Sequence, residues 1–153
     1  MATTDSVKAR LQEDVKAALK SGDKARLGVL RMAMAAIKQR EVDTRETLDD
    51  TGVLAILDKM VKQRQDSVAQ FERGGRNDLV AKETAEIEVI RSYLPKPLDE
   101  AAMASLVEDA IAATAAAAPG DMGRVMAEIK KRAAGSVDMG EIGRLVRARL
   151  SAR

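Results

Sequence analysis

Apolar residues recur along this chain at steps of three and four, and the punctuation between the runs divides it into seven amphipathic helices. The first is expected from about Asp5 to Lys20, with Val7, Leu11, Val15 and Leu19 spaced by four and Ser21-Gly22 closing it. Asp23 is placed to cap the second, which carries Leu27, Leu30, Met34 and Ile37 and fades into the polar stretch from Glu41 to Asp50. The third runs from about Thr51 to Arg73 with Leu57, Met60, Val61, Val68 and Phe71 on one side. Gly74-Gly75-Arg76-Asn77-Asp78 is a tight turn, because glycine accepts the left-handed backbone that closes a helix. The fourth helix, about Asp78 to Tyr93, should therefore lie antiparallel beside the third.

Leu94-Pro95-Lys96-Pro97-Leu98 forbids a continuing helix and stiffens the joint, so a boundary is expected there, between subdomains 1–95 and 96–153. Beyond it, Asp99 caps a fifth helix carrying Met103, Leu106, Val107, Ala110 and Ile111, which runs into the alanine tract 112–118 and stops at Pro119-Gly120. Asp121 is expected to cap the sixth (Met122, Val125, Met126, Ile129) and Asp138 the seventh (Met139, Ile142, Leu145, Val146, Leu150). The expected fold class is all-α: about four helices, a proline hinge, then a small three-helix bundle.

Composition agrees. The apolar content is Ala, Leu, Val, Ile and Met, with Tyr93 and Phe71 the two aromatics; helix tolerates these residues well, while strands favour aromatics. The chain has neither cysteine nor histidine. That removes disulfides, thiolate sites, the commonest metal ligand and the side chain best suited to proton transfer near neutral pH. No phosphate loop, GxGxxG, GxSxG or HExxH is found. Acidic pairs such as Asp49-Asp50 and Asp99-Glu100 sit at helix starts, where capping explains them. Accordingly no catalytic residue, metal site or cofactor is assigned. The N-terminus lacks a basic segment followed by an apolar run, and charge interrupts every long segment, so no membrane contact and a cytoplasmic location are expected.

Charge is unevenly distributed. Lys96 to Gly123 holds one basic residue against five acidic ones, whereas Arg124 to Arg153 holds eight against three. The basic candidates for polyanion binding are Lys130, Lys131 and Arg132 on helix six and Arg144 and Arg147 on helix seven. The turn at Gly135 would present backbone N–H groups at a helix start. A solvated charged face accounts for the same residues. Without an aromatic in this tract to stack on a base, recognition would be of RNA shape and phosphate. A second row, Lys24, Arg31 and Lys38, lies along one edge of helix two and could track phosphates or simply cover the apolar face with its stems.

Arg64 falls at the centre of the apolar stripe of helix three, and Glu83 and Glu86 fall on the apolar stripe of helix four. Folding the two helices about Gly74-Gly75 sets Arg64 level with residue 86, so an Arg64–Glu86 pair is expected, with Glu83 as second choice. An unpaired charge there would be costly. The functional alternative is an anion-binding arginine with a tuned carboxylate.

Several segments together resemble the GatB/YqeY family: Gly22-Asp23-Lys24-Ala25-Arg26-Leu27 with Leu30-Arg31-Met32, then 62–67 with Phe71, then Gly74 to Leu79, Glu83, Glu86 and Tyr93-Leu94-Pro95. In the C-terminal part, 121–126 and Gly135 to Gly140 match the closing segments. The resemblance implies a multihelical module like the tail of the tRNA-dependent amidotransferase B subunit, which helps hold tRNA. It also implies a label of carbon–nitrogen ligase with glutamine as amide donor. That chemistry needs an activated nucleophile and nucleotide activation of the acceptor, and neither arrangement is visible. The family usually carries a basic residue then Ala-Asp where this chain has Ser136-Val137-Asp138. The expected partners are tRNA and an amidotransferase or other protein, with a protein-interaction adaptor as a further alternative.

Overall fold

The computed structural model describes residues 6–152. The chain is all-α, with seven helices and no strand among the described residues: α1 (Val7–Ser21), α2 (Lys24–Thr44), α3 (Asp50–Arg73), α4 (Asn77–Arg91), α5 (Glu100–Thr114), α6 (Met122–Ala133) and α7 (Met139–Ser151). A short 3-10 turn, Pro119–Asp121, precedes α6. Two compact units result, one ending at Leu94 and the other beginning at Pro95.

In the first unit, α1 folds back on α2 through Gly22, whose φ of 77° only glycine adopts without strain. α3 folds back on α4 through Gly74-Gly75. The core joins Leu11 of α1, Leu30 and Ile37 of α2, Val53 and Leu57 of α3 and Ile90 of α4, all essentially solvent-free. Side-chain caps fix the helix starts: Ser6 accepts from the Ala9 amide, Asp23 from Arg26 and Asp49 from Gly52. The Asp50 carboxylate accepts from the Val7 amide at 3.0 Å and ties the start of α3 to that of α1.

α1 departs from its expected stripe: Leu19 is 60% exposed and the neighbouring Ala18 is buried. Each four-residue step advances about 40° beyond a full turn, so a run spaced strictly by four drifts off the buried face and a three-residue step must restore it. α2 also continues past Glu41 to Thr44. Its polar end is held by Glu41, which accepts two bonds from Lys8 Nζ (2.9 and 3.0 Å) and one from the Leu48 amide (2.8 Å). Glu41 is thereby kept below the ordinary carboxylate range, first by Lys8 and then by the amide.

In the second unit α5, α6 and α7 enclose Val107, Ile111, Val125, Ile129, Ile142 and Val146. α5 ends at Thr114, short of the tract's end, with Ala115 left-handed at φ 54°. Alanine favours helix, but side chains a few residues further along the chain claim the backbone: Arg124 donates to the Thr114 carbonyl at 2.8 Å, and Asp121 Oδ2 accepts from the Ala117 and Ala118 amides. Asp121 thus turns back toward α5 and makes no side-chain cap for α6. The Ala117 amide, Arg124 and the Ala118 amide hold its carboxyl down at about 2. Leu145 points outward at 36% exposure; a Cβ on the buried Gly143 would stand 3.6 Å from Met122 Cε and 3.8 Å from Met126 Cε, so α6 methionines fill that side.

Candidate functional site

The basic candidates of the second unit stand exposed in two groups, one on α6 and one on α7. Val125, Ile129 and Ala133 turn one face of α6 inward, which leaves Lys130, Lys131 and Arg132 in solvent on its last turn. Cations there suit the negative end of the helix dipole, a structural reason for their presence. Burial of Ile142, Val146 and Leu150 likewise leaves Arg144 and Arg147 exposed, one turn apart on α7. Arg132 donates to Glu128 at 2.6 Å and Arg149 to Glu108 at 2.8 Å. Lys130, Lys131, Arg144 and Arg147 have no ion pair among the described residues.

Gly135 lies in the connection between α6 and α7, in the left-handed region at φ 82°. The following amide, Ser136, donates to the Ala133 carbonyl at 3.0 Å. The start of α7 carries its own anion, since Asp138 Oδ1 accepts from the Gly140 and Glu141 amides at 2.8 and 3.3 Å. A phosphate arriving here would meet side chains; these amides are occupied.

In the first unit Arg64 is 8% exposed and its Nη2 lies 3.2 Å from Glu86 Oε2, with Nε 3.9 Å from Glu83 Oε2. Nη2 also reaches the Met32 sulfur at 3.4 Å, which links α3 to α2. The arginine is thus surrounded by the chain's own partners. Lys24, Arg31 and Lys38 are all exposed along α2.

A second polar cluster escaped the sequence reading. Tyr93 is buried, its hydroxyl donates to Asp14 and accepts from Arg26 Nη2, and Arg10 lies over its ring at 5.1 Å. Burial, and then the bond to Asp14 and its charge, push the phenol up to about 12. The group is a fixed donor across the physiological range, fastening the residue just beyond α4 to α1 and α2. The lone tyrosine beside the proline joint was the available signal, but its partners Asp14 and Arg26 sit on polar helix faces with nothing to mark them.

No group of three or more Asp or Glu that could hold a metal occurs among the described residues. No single helix there is long and apolar enough to cross a membrane.

A family model described as Yqey-like protein matches residues 8–150. The chain belongs to the YqeY-like family. Similar curated proteins bear the name Altered inheritance of mitochondria protein 41, mitochondrial. The one from Lachancea thermotolerans is 37% identical over 91 residues, 59% of this chain and 48% of that protein. The one from Eremothecium gossypii is 37% identical over 94 residues, 61% of this chain and 51% of its own. A third, from Pyrenophora tritici-repentis, is 31% identical over 132 residues, covering 83% and 73%. In the first two cases this YqeY-like chain spans about half the relative's length. The family match, by contrast, takes in helices of both units.

Proposed function

We propose that the protein is a helical tRNA-binding module that supports tRNA-dependent amidation without chemistry of its own, working in the cytosol. The observation that carries this reading is the set Lys130, Lys131, Arg144 and Arg147, exposed and without carboxylate partners among the described residues. Cations with no direct ion pair on a surface stay available to phosphate, although the charge of Glu128 is felt by Lys131 as well as by Arg132. Membership of the YqeY-like family supports the reading through the resemblance to the amidotransferase tail. The tract offers no aromatic for base stacking, so the ligand is a folded RNA contacted through phosphate and shape.

Mobility-shift titration with folded tRNA, the same tRNA unfolded, and single-stranded RNA of equal length tests it. Preference for the folded form is expected; equal or weaker binding of it contradicts the proposal. The family's ligase label is tested by incubating the purified chain with glutamine, ATP and a mischarged tRNA. The expected outcome is no amidated product, and turnover by the chain alone would establish the enzymatic reading instead.

A further inference from the structure

A groove of about 700 Å³ opens between α2 and α4 in the first unit. Its walls follow one rule. Beyond Asp23, Lys24 and Arg26 about the start of α2, it is lined on α2 by Ala25, Gly28, Val29 and Met32, and on α4 by Lys82, Ala85, Glu86 and Val89. Both sets fall at i, i+3, i+4 and i+7, so each helix turns one continuous seam toward the opening for two turns, about 10 Å.

Three features mark the groove as built to receive something. Met32 is 54% exposed although its sulfur is held by Arg64, so an apolar side chain is fixed in an open position. Gly28 lies in the interior of α2, where glycine costs a helix about 0.5–1 kcal/mol relative to alanine. A Cβ there would find nothing within 4 Å, so no packing within the chain demands glycine. With Ala25 and Ala85 it keeps the walls low, which lets an incoming backbone come close.

Charge then selects the occupant. Glu86 is engaged by Arg64 and Arg26 stands 3.9 Å from Asp14, which leaves Asp23 as the carboxylate to set against two lysines. Lys24 and Lys82, both exposed on the lining, have no ion pair among the described residues. The rim is therefore positive and the floor apolar. A nucleic acid would use the lysines but leave the apolar floor unfilled, and the groove has no aromatic to stack a base.

We infer that the α2–α4 groove receives an acidic amphipathic helix of a protein partner, with apolar residues at i, i+3, i+4 and i+7 set between Met32 and Val89 and carboxylates beside Lys24 and Lys82. This site lies wholly within the first unit and stands apart from the RNA reading, which rests on the second.

The test follows the methyl resonance of Met32 in the full chain, labelled at methionine, on titration with a designed helical peptide of about four turns bearing a leucine stripe flanked by glutamates. A saturable shift is expected. It should weaken at least about ten-fold in Gly28→Leu, which fills the groove from a position with open space, and in the Lys24→Glu/Lys82→Glu pair. Circular dichroism checks that both variants remain folded. A peptide with lysine in place of glutamate should not bind. The inference is overturned by the absence of a saturable Met32 shift, by equal binding of the basic peptide, or by unchanged affinity in Gly28→Leu. Displacement of the peptide by tRNA would assign the groove to nucleic acid, and a Met32 shift that depends on protein concentration alone would assign it to a second copy; either also overturns the inference.

Discussion

Arg64 Nη2 and Glu86 Oε2 lie 3.2 Å apart across the α3–α4 hairpin, each side chain at least four-fifths shielded from solvent. Breaking such a pair from one side leaves the other charge shielded and unmatched, at a cost of about 3–5 kcal/mol when burial is complete. Here Glu83 stays in reach at 3.9 Å and Glu86 keeps some solvent, so the cost is smaller. Arg64→Met alone is expected to destabilise by about 2 kcal/mol in urea unfolding, while Arg64→Met with Glu86→Leu should be near neutral. Both should retain any RNA affinity, because the pair holds helix register. A folded single variant that had lost RNA binding would give Arg64 a functional role.

Tyr93 is the chain's one tyrosine, so near-ultraviolet phenolate absorbance reports it alone. Its midpoint is expected at about 12 against an ordinary 10.0. Because the folded state binds this proton more tightly, the stabilisation is complete below about 10 and is lost as pH rises toward 12. Tyr93→Phe should flatten the alkaline limb of the stability curve between those values. Titration of the native protein at the ordinary value would mean the Asp14 bond and the burial are not as described.

The acid limb has the opposite sign. Asp121 is held at about 2 from 3.8 by two amides and Arg124, so its stabilisation is present above 3.8 and lost as pH falls through about 2. Asp121→Asn should remove that part of the pH dependence and free the Ala117 and Ala118 amides. Carbon-detected titration of the carboxyl resonance checks it; an unshifted midpoint would contradict the turn-back of Asp121.

Leu11 and Leu19 were indistinguishable in the apolar pattern, yet one is solvent-free and the other is 60% exposed. Leu11→Ala is expected to cost about 2–5 kcal/mol and Leu19→Ala within about 0.5 kcal/mol. Equal effects in denaturant unfolding would place Leu19 in the core after all.

The same comparison marks how far the chain could be read beforehand. Glycine pairs, prolines and capping aspartates are local chemistry, so the seven helices and the hairpin about Gly74-Gly75 were legible from spacing. Arg64 and Glu86 were legible too, because each interrupts an apolar stripe on a facing helix. What spacing misses is backbone claimed by nearby side chains: Glu41 holds the Leu48 amide just past the end of α2, and Arg124 with Asp121 holds the stretch after Thr114 against alanine's helical preference. Asp14 and Arg26 sit on polar faces, and only the fold brings Tyr93 to them. The five basic candidates were found by charge count, but counting does not distinguish Arg132, ion-paired to Glu128, from Lys131 beside it, which makes no such pair among the described residues.

The central claim, that this chain holds a folded RNA by phosphate contacts, is tested most directly by the salt dependence of tRNA affinity for the native chain and for the variant with Lys130, Lys131, Arg144 and Arg147 replaced by alanine. Each phosphate contact contributes about 0.7–0.9 to the slope of log affinity against log salt, so removing four cations should make the variant's slope shallower by about 3 to 4, with much weaker binding at low salt. Identical slopes and affinities for the two proteins would contradict the account.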